Sequence, residues 1–172
     1  MSEGLPQQID VRRFADTGRR LQGKLSLNQL TRLSKLVEEN QSCQAFLLTL
    51  DFSRLDDGRR VIKGHVSGCV SMICQRCLEP VEVSLDCDIS LGLVADDAEA
   101  ELLPVELDPL IAGETTQLNE LLEDELLLAM PIVPLHEHCE RPGTPVTDRG
   151  NGDKLSEREH PFAVLASLKD KQ

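Results

Sequence analysis

The chain has 172 residues, enough for one domain with a sizeable core. It contains four Phe but neither Tyr nor Trp, so the core is predicted to consist of Leu, Val and Ile, and an aromatic base-stacking surface is disfavoured. The net charge of −12 is unevenly distributed. Residues 1–35 contain seven Lys and Arg against three acids, whereas residues 77–140 contain 17 Asp and Glu and no Lys or Arg. The acidic part is typical of solvated loops or of a surface for a basic partner.

The N-terminal sequence predicts a cytoplasmic protein. Met1 leads into polar sequence, and no apolar run is long enough for a signal peptide or a membrane span. Cysteines stay reduced in that compartment, so the six cysteines are expected to be thiols or metal ligands and not disulfides. Cys43 and Cys69 have no partner at ligand spacing, and we expect both to be structural.

The first forty residues predict one strand and one helix. A short strand is expected at Gln8–Arg13, followed by a loop rich in Arg. Ser26 is a suitable N-cap, and the leucines after it follow helical spacing, which predicts a helix over Leu27–Glu39. Asn40 would end that helix.

Alternating apolar residues then predict a three-stranded antiparallel meander. Its strands are expected at Gln44–Phe52, at Arg60–Ile73 and from Val81 to Leu93. The segment Cys74–Pro80 forms the turn of the second hairpin. Cys87 lies on the apolar side of the third strand and is expected to pack like a small hydrophobic residue.

The remaining chain predicts a second helix and a tail. Residues 95–115 are expected to form an acidic loop with one short strand. A helix over Leu118–Met130 should follow, capped by Thr116 or Asn119. The fold class is therefore α+β, with an antiparallel meander or barrel-like sheet packed against two helices, and with a flexible C-terminal tail.

The domain organisation follows from composition. Residues 1–140 are expected to form a single α+β domain, and residues 141–159 a disordered linker rich in Pro, Gly and charged residues. Residues 160–172 then form an apolar segment expected to dock on a partner or on the domain itself, through Pro161, Phe162 and Leu165.

The C-x-x-C pair at the second hairpin is the main candidate site. Cys74 and Cys77 could be joined by Cys139 and His136, which supply the third sulfur and a nitrogen for a tetrahedral zinc site. His138 is adjacent to Cys139 and is expected to point away. Two other interpretations stay open at this point: thiols without a metal in a turn, and a redox pair, although the pair lacks the strand-to-helix setting of thioredoxin-like motifs.

Enzyme motifs are missing from the sequence. It contains no P-loop, no G-x-G-x-x-G, no G-x-S-x-G and no H-E-x-x-H. A Cys74 nucleophile with His136 as its base is the one remaining arrangement, and nothing marks an oxyanion site for it. We therefore expect a protein without enzymatic activity.

Three segments together resemble one known family. Cys74–Val81 resembles its central C-x-R-C motif, Leu121–His136 resembles its E-D-E helix with a proline-rich exit, and Pro161–Lys169 resembles its terminal tag. The family is YceD, the large ribosomal RNA subunit accumulation protein family. Some relatives carry more cysteines after the exit, where this chain has only Cys139 with two histidines nearby.

The resemblance implies a non-enzymatic ribosome biogenesis factor that supports synthesis, processing or stability of 23S rRNA. Its partner would then be the large-subunit rRNA or a pre-ribosome. Phosphate contacts are expected from Arg12, Arg13, Arg19 and Arg20, although such arginines also occur as a solvated surface with local ion pairs. The alternatives are an acidic module that binds a basic ribosomal protein, and a zinc or thiol protein.

Overall fold

The hydrophobic alternation of the sequence becomes three long strands in the computed structural model, which describes residues 5–38 and 42–139. In chain order the elements are β1 (Gln8–Ile9), α1 (Val11–Asp16), β2 (Arg20–Ser26), β3 (Ala45–Arg54), β4 (Arg60–Ile73), β5 (Pro80–Val94), α2 (Asp97–Ala100), β6 (Asp108–Ile111), β7 (Thr116–Gln117) and α3 (Leu118–Ala129). The main sheet has the order β2-β3-β4-β5-β6, and β1 pairs with β7 in a separate two-stranded sheet. The antiparallel meander β3-β4-β5 is confirmed.

One face of the main sheet forms the core. Side chains such as Phe52, Ile62 and Ile89 are buried on it, as the period of two requires. Neighbouring strands approach closely at Gly64, where an added Cβ would clash with the backbone oxygen of Thr49. The half-buried Cys87 packs against this core, as predicted.

The sheet is open, so the barrel-like form expected from the sequence is wrong. β2 and β6 are its two edges. The last pair, β5 with β6, is parallel, which makes the sheet mostly and not wholly antiparallel. The acidic stretch before β6 contains α2, a single helical turn in which the Asp96 side chain accepts a hydrogen bond from the Glu99 amide at 3.0 Å.

The helix predicted over Leu27–Glu39 is wrong. The structure has two short 3₁₀ turns instead, at Leu27–Gln29 and Leu33–Lys35. The leucines here recur every three residues, and three is the number of residues per turn of a 3₁₀-helix. At the start of the second turn, the backbone amides of Arg32 and Leu33 donate to the Glu123 side chain of α3 instead of to preceding carbonyl groups. Those two hydrogen bonds replace the ones that a continuous helix would make.

Two smaller predictions at the two-stranded sheet of β1 and β7 are also wrong: the length of the first strand and the N-cap of α3. The strand expected at Gln8–Arg13 stops after Ile9, because the Asp10 side chain caps α1 by accepting a hydrogen bond from the Arg13 amide at 2.9 Å. Helix α3 begins as predicted, but its N-cap is Gln117, and the structure shows no side-chain cap there.

The expectation that no cysteine forms a disulfide is wrong for one pair. Cys43 and Cys69 form a disulfide that joins the segment before β3 to β4. Sequence spacing could not indicate this pair, because 26 residues separate the two cysteines and only the β3–β4 pairing brings them together. Cys74, Cys77, Cys87 and Cys139 are free thiols.

The predicted linker at 141–159 and the docking segment at 160–172 lie outside the described residues, and the proposed domain limits stay a prediction. Within the residues that the structure describes, no helix is long and apolar enough to cross a membrane.

A candidate metal centre at the second hairpin

The turn between β4 and β5 holds the C-x-x-C pair in a fixed shape. The Cys74 amide donates to the Glu79 carbonyl at 2.9 Å, and the Leu78 amide donates to the Cys74 carbonyl at 3.0 Å. Leu78 has a φ of 63°, in the left-handed region that a branched side chain rarely adopts. Cys74 is fully buried and Cys77 is partly buried.

The segment that leaves α3 is fastened to this turn. The Gln75 amide donates to the carbonyl of the buried Pro134 at 2.9 Å, and the His136 amide lies 3.4 Å from Cys74 Sγ as a donor. These contacts bring residues 134–139 beside the hairpin tip. They explain how side chains about sixty residues apart in the sequence reach one place.

The structure brings together the four residues that the sequence analysis had singled out as ligands: Cys74, Cys77, His136 and Cys139. Their sulfur and nitrogen atoms all lie within 4.8 Å of one another. Cys74 Sγ is 3.8 Å from Cys139 Sγ, and Cys77 Sγ is 3.2 Å from His136 Nδ1. Four ligands at about 2.3 Å from a central zinc ion would lie about 3.8 Å apart in a tetrahedron. We call this group the cysteine–histidine cluster, and its donor set and spacing fit zinc.

The ring of His136 is oriented for coordination. Its Nε2 lies 3.1 Å from the carbonyl oxygen of Pro80. A carbonyl can only accept, so Nε2 carries the proton and Nδ1 presents its lone pair to the cluster. A histidine ligand held in this way by a backbone carbonyl is the usual outer-shell arrangement of metal sites. His138 is exposed and lies outside the cluster, as predicted.

The sulfurs of the cluster differ in acidity. Burial raises the pKa of Cys74, but the amides of Cys77, His136 and Arg76 that point at its sulfur outweigh burial and lower that pKa to about 5. Burial and the neighbouring sulfurs of Cys74 and Cys77 raise the pKa of Cys139. One thiolate is therefore well accommodated, whereas further thiolates repel each other. A divalent cation between them would remove that repulsion.

Arg76 is a member of this site that the sequence analysis did not single out. Its amide donates to Cys74 Sγ at 3.4 Å, and its guanidinium Nη1 donates to the Cys139 carbonyl at 3.3 Å. Three thiolates around a divalent ion leave one negative charge, which a nearby guanidinium offsets. The C-x-R-C pattern contained this signal, because the arginine stands inside the turn.

A second polar site on α3 also escaped the sequence analysis, and we call it the Glu123 corner. Glu123 is buried in spite of its charge. Its Oε1 accepts from the amides of Arg32 and Leu33 at 2.6 and 2.9 Å, and its Oε2 accepts from Arg32 Nε at 2.9 Å. Burial raises the pKa of Glu123, but these donors outweigh it and lower the pKa below its ordinary value of 4.5.

The arginines predicted to contact RNA lie near one end of the main sheet, and three of the four have local partners. Arg12 donates to the Ala112 carbonyl at 3.3 Å. The guanidinium of Arg19 lies 4.9 Å from the centre of the Phe14 ring, and Arg20 forms a 3.4 Å ion pair with Asp51. Arg13 is exposed on α1. Pro161, Phe162 and Leu165 lie outside the described residues.

The fold and the cluster define the class of this protein: a small α+β protein with an open sheet, in which three cysteines and a histidine converge at a hairpin tip. The chain belongs to the YceD family. The family model described as "Large ribosomal RNA subunit accumulation protein YceD" matches residues 62–169. A protein of that name from Haemophilus influenzae is 36% identical over 173 residues, covering 97% of each chain. No solved structure gives a significant match.

Proposed function

We propose that this protein is a non-enzymatic ribosome biogenesis factor of the cytoplasm that supports the accumulation of 23S rRNA. The observation that carries the proposal is the near full-length similarity to a relative named for large ribosomal RNA subunit accumulation. The matched region includes the cysteine–histidine cluster and all of α3. The cluster and the helix that supports it therefore belong to the part of the chain shared with the family.

The role proposed for the cluster is a structural zinc site. Its three sulfurs and one nitrogen supply four ligands, which is the closed coordination of structural zinc, whereas catalytic zinc keeps a position open for water or substrate. Zinc held there would join the hairpin tip to the exit of α3. A closed ligand set of this kind argues against catalysis by zinc at the cluster.

Gene deletion tests the proposed function. In a strain without the gene, the ratio of large-subunit to small-subunit rRNA should fall, and the wild-type gene should restore it. Quantitative RNA electrophoresis gives the ratio. A deletion strain with an unchanged ratio would contradict the proposal.

A ligand exchange separates a structural cluster from a thiol reaction. Cys77→His keeps four ligands but removes the C-x-x-C thiol pair, which is the pair of the redox interpretation. If zinc is structural, this variant should bind the metal and restore rRNA to the deletion strain. A variant that is folded and zinc-loaded but inactive would instead assign a chemical role to the Cys77 thiol.

Direct contact of the four arginines with rRNA remains a separate part of the proposal. Changing Arg12, Arg13, Arg19 and Arg20 to Ala should weaken binding to large-subunit rRNA and flatten its dependence on salt, because fewer phosphate contacts release fewer counterions. An unchanged salt slope would show that these residues do not contact the phosphates of the rRNA.

A further inference from the structure

The exit of α3 exposes an unusual number of apolar side chains. Ile132 is 99% exposed and Leu128 is 83% exposed, and Val133 and Leu135 are more than two-fifths exposed. Leu78, on the hairpin turn to which this exit is hydrogen-bonded, is 65% exposed. Exposed apolar residues grouped on one part of a surface are typical of an interaction site. We call these five residues the exit surface.

The exit surface is held rigidly. Pro134, between two of its members, is buried and accepts a hydrogen bond from the Gln75 amide at 2.9 Å. His136 follows directly and contributes to the cysteine–histidine cluster. The backbone that carries Val133 and Leu135 is therefore fixed against the hairpin turn, which lowers the entropy lost when a partner binds.

Leu78 adds an independent observation. Its backbone has a φ of 63°, where glycine is the residue without steric cost. A leucine at such a position is strained, and strain of this kind is concentrated at functional sites. The side chain gains little from its own fold, because about two-thirds of it is exposed. Contact with a partner would account for a leucine at this place.

The charges around the exit surface indicate the chemistry of the partner. The side chains next to the exit surface along the chain are mainly acidic, among them Glu79, Glu125 and Glu137, and residues 77–140 contain no Lys or Arg. Two arginines in this part of the structure are already engaged: the Arg76 guanidinium donates to the Cys139 carbonyl, and Arg32 forms ion pairs with Glu123 and Asp124 of α3. An RNA backbone would be repelled by this rim, whereas a cationic protein segment would be attracted to it.

We propose that the exit surface docks a cationic, amphipathic segment of a protein, with its apolar side chains over Leu78 and Ile132 and its basic side chains against the acidic rim. The inference deepens the proposed function, on which it rests, because basic proteins of the large ribosomal subunit have this chemistry. Apolar anchors would supply most of the affinity, and the charges would supply specificity and the rate of association.

A binding titration with the purified full chain tests the proposal without relying on rRNA levels. The probe is a synthetic amphipathic helix of Leu and Lys with every leucine on one face. One comparison peptide has the same composition in an order that gives no apolar face, and another has Glu in place of Lys. Fluorescence anisotropy of labelled peptides gives the dissociation constants.

The variants separate docking from general attraction to an acidic protein. Ile132→Ser and Leu78→Gly should each weaken binding of the Leu and Lys helix by about tenfold, which is typical of an interface anchor. Leu78→Gly should keep or raise the melting temperature, because glycine relieves the backbone strain. Val105→Ser is the matched control, since Val105 is also 99% exposed but lies before β6.

Three outcomes would overturn the proposal. Equal binding by wild type, the exit-surface variants and the control would show that charge alone attracts the peptide. Preference for the Glu-containing helix would show that the surface selects an anionic partner and not a cationic one. A wild-type dimer that Ile132→Ser converts to a monomer, without any change in peptide affinity, would assign the surface to a second copy of the chain. Failure in any of these ways leaves the rRNA test of the proposed function unaffected.

Discussion

Helix α3 and the segment that follows it are joined to the rest of the fold by two polar sites, the Glu123 corner and the cysteine–histidine cluster. The charges of these two sites are compensated in different ways. At the Glu123 corner, one carboxylate receives three hydrogen bonds from Arg32 and Leu33, so its buried charge is compensated by the protein alone. In the cysteine–histidine cluster, four metal-ligand atoms face one another within 4.8 Å. The corner is complete as a structural contact. In the zinc site that we propose, a cation between these ligands would complete the cluster.

The first prediction concerns the cysteine–histidine cluster and changes its buried ligand, Cys74. Cys74→Ser should remove bound zinc and lower the melting temperature by about 10 °C, because the hairpin tip and the α3 exit lose their common anchor. Cys87→Ser is the control, since Cys87 is a half-buried thiol outside the cluster. Differential scanning calorimetry and metal analysis give both results. Equal shifts for the two variants would mean that the cluster is held by packing alone.

The second prediction tests the Glu123 corner. Glu123→Ala should lower the free energy of unfolding by about 3 kcal/mol, because it leaves the amides of Arg32 and Leu33 without their acceptor. Glu123→Gln keeps the oxygen that accepts from both amides, so its loss should be about 1 kcal/mol. Urea denaturation of both variants measures the difference. Similar losses for Ala and Gln would show that the negative charge of Glu123 stabilises the corner, and not its hydrogen bonds from the two amides.

A smaller effect should appear on acidification. The pKa of Glu123 is lowered in the folded protein, so the corresponding stability is present above its ordinary value of 4.5 and is lost as pH falls through the folded pKa. The difference in unfolding free energy between wild type and Glu123→Gln should therefore shrink below about pH 4.5. Urea unfolding between neutral pH and pH 3 measures it. A constant difference between wild type and Glu123→Gln over this pH range would argue against the assigned cause.

The sheet was predictable because alternation marks strands directly. β4 was predicted to the residue, and β5 to within one residue at each end, since the apolar residues of both recur at period two. The 27–39 segment was not predictable in the same way. Its leucines suit a helix in sequence, but the buried carboxylate of Glu123, contributed by a helix about ninety residues later, takes the amides that would continue it.

The candidate site was predictable in its ligands but not in its surroundings. Residue chemistry and spacing indicated Cys74, Cys77, His136 and Cys139 as a group, and the structure brings them together. The roles of Arg76 and of the Pro80 carbonyl depend on how the turn folds around the sulfurs. The disulfide between Cys43 and Cys69 depends on strand pairing, which single-residue patterns do not specify.

The central claim is that the cysteine–histidine cluster holds a structural zinc ion that joins the β4–β5 hairpin to the exit of α3. Its most direct test is the metal content of the full chain, expressed with zinc in the medium and purified under reducing conditions without chelator. Mass spectrometry of the native protein and elemental analysis should give about one zinc ion per chain, and Cys74→Ser should contain none. A wild-type content near zero would contradict the claim.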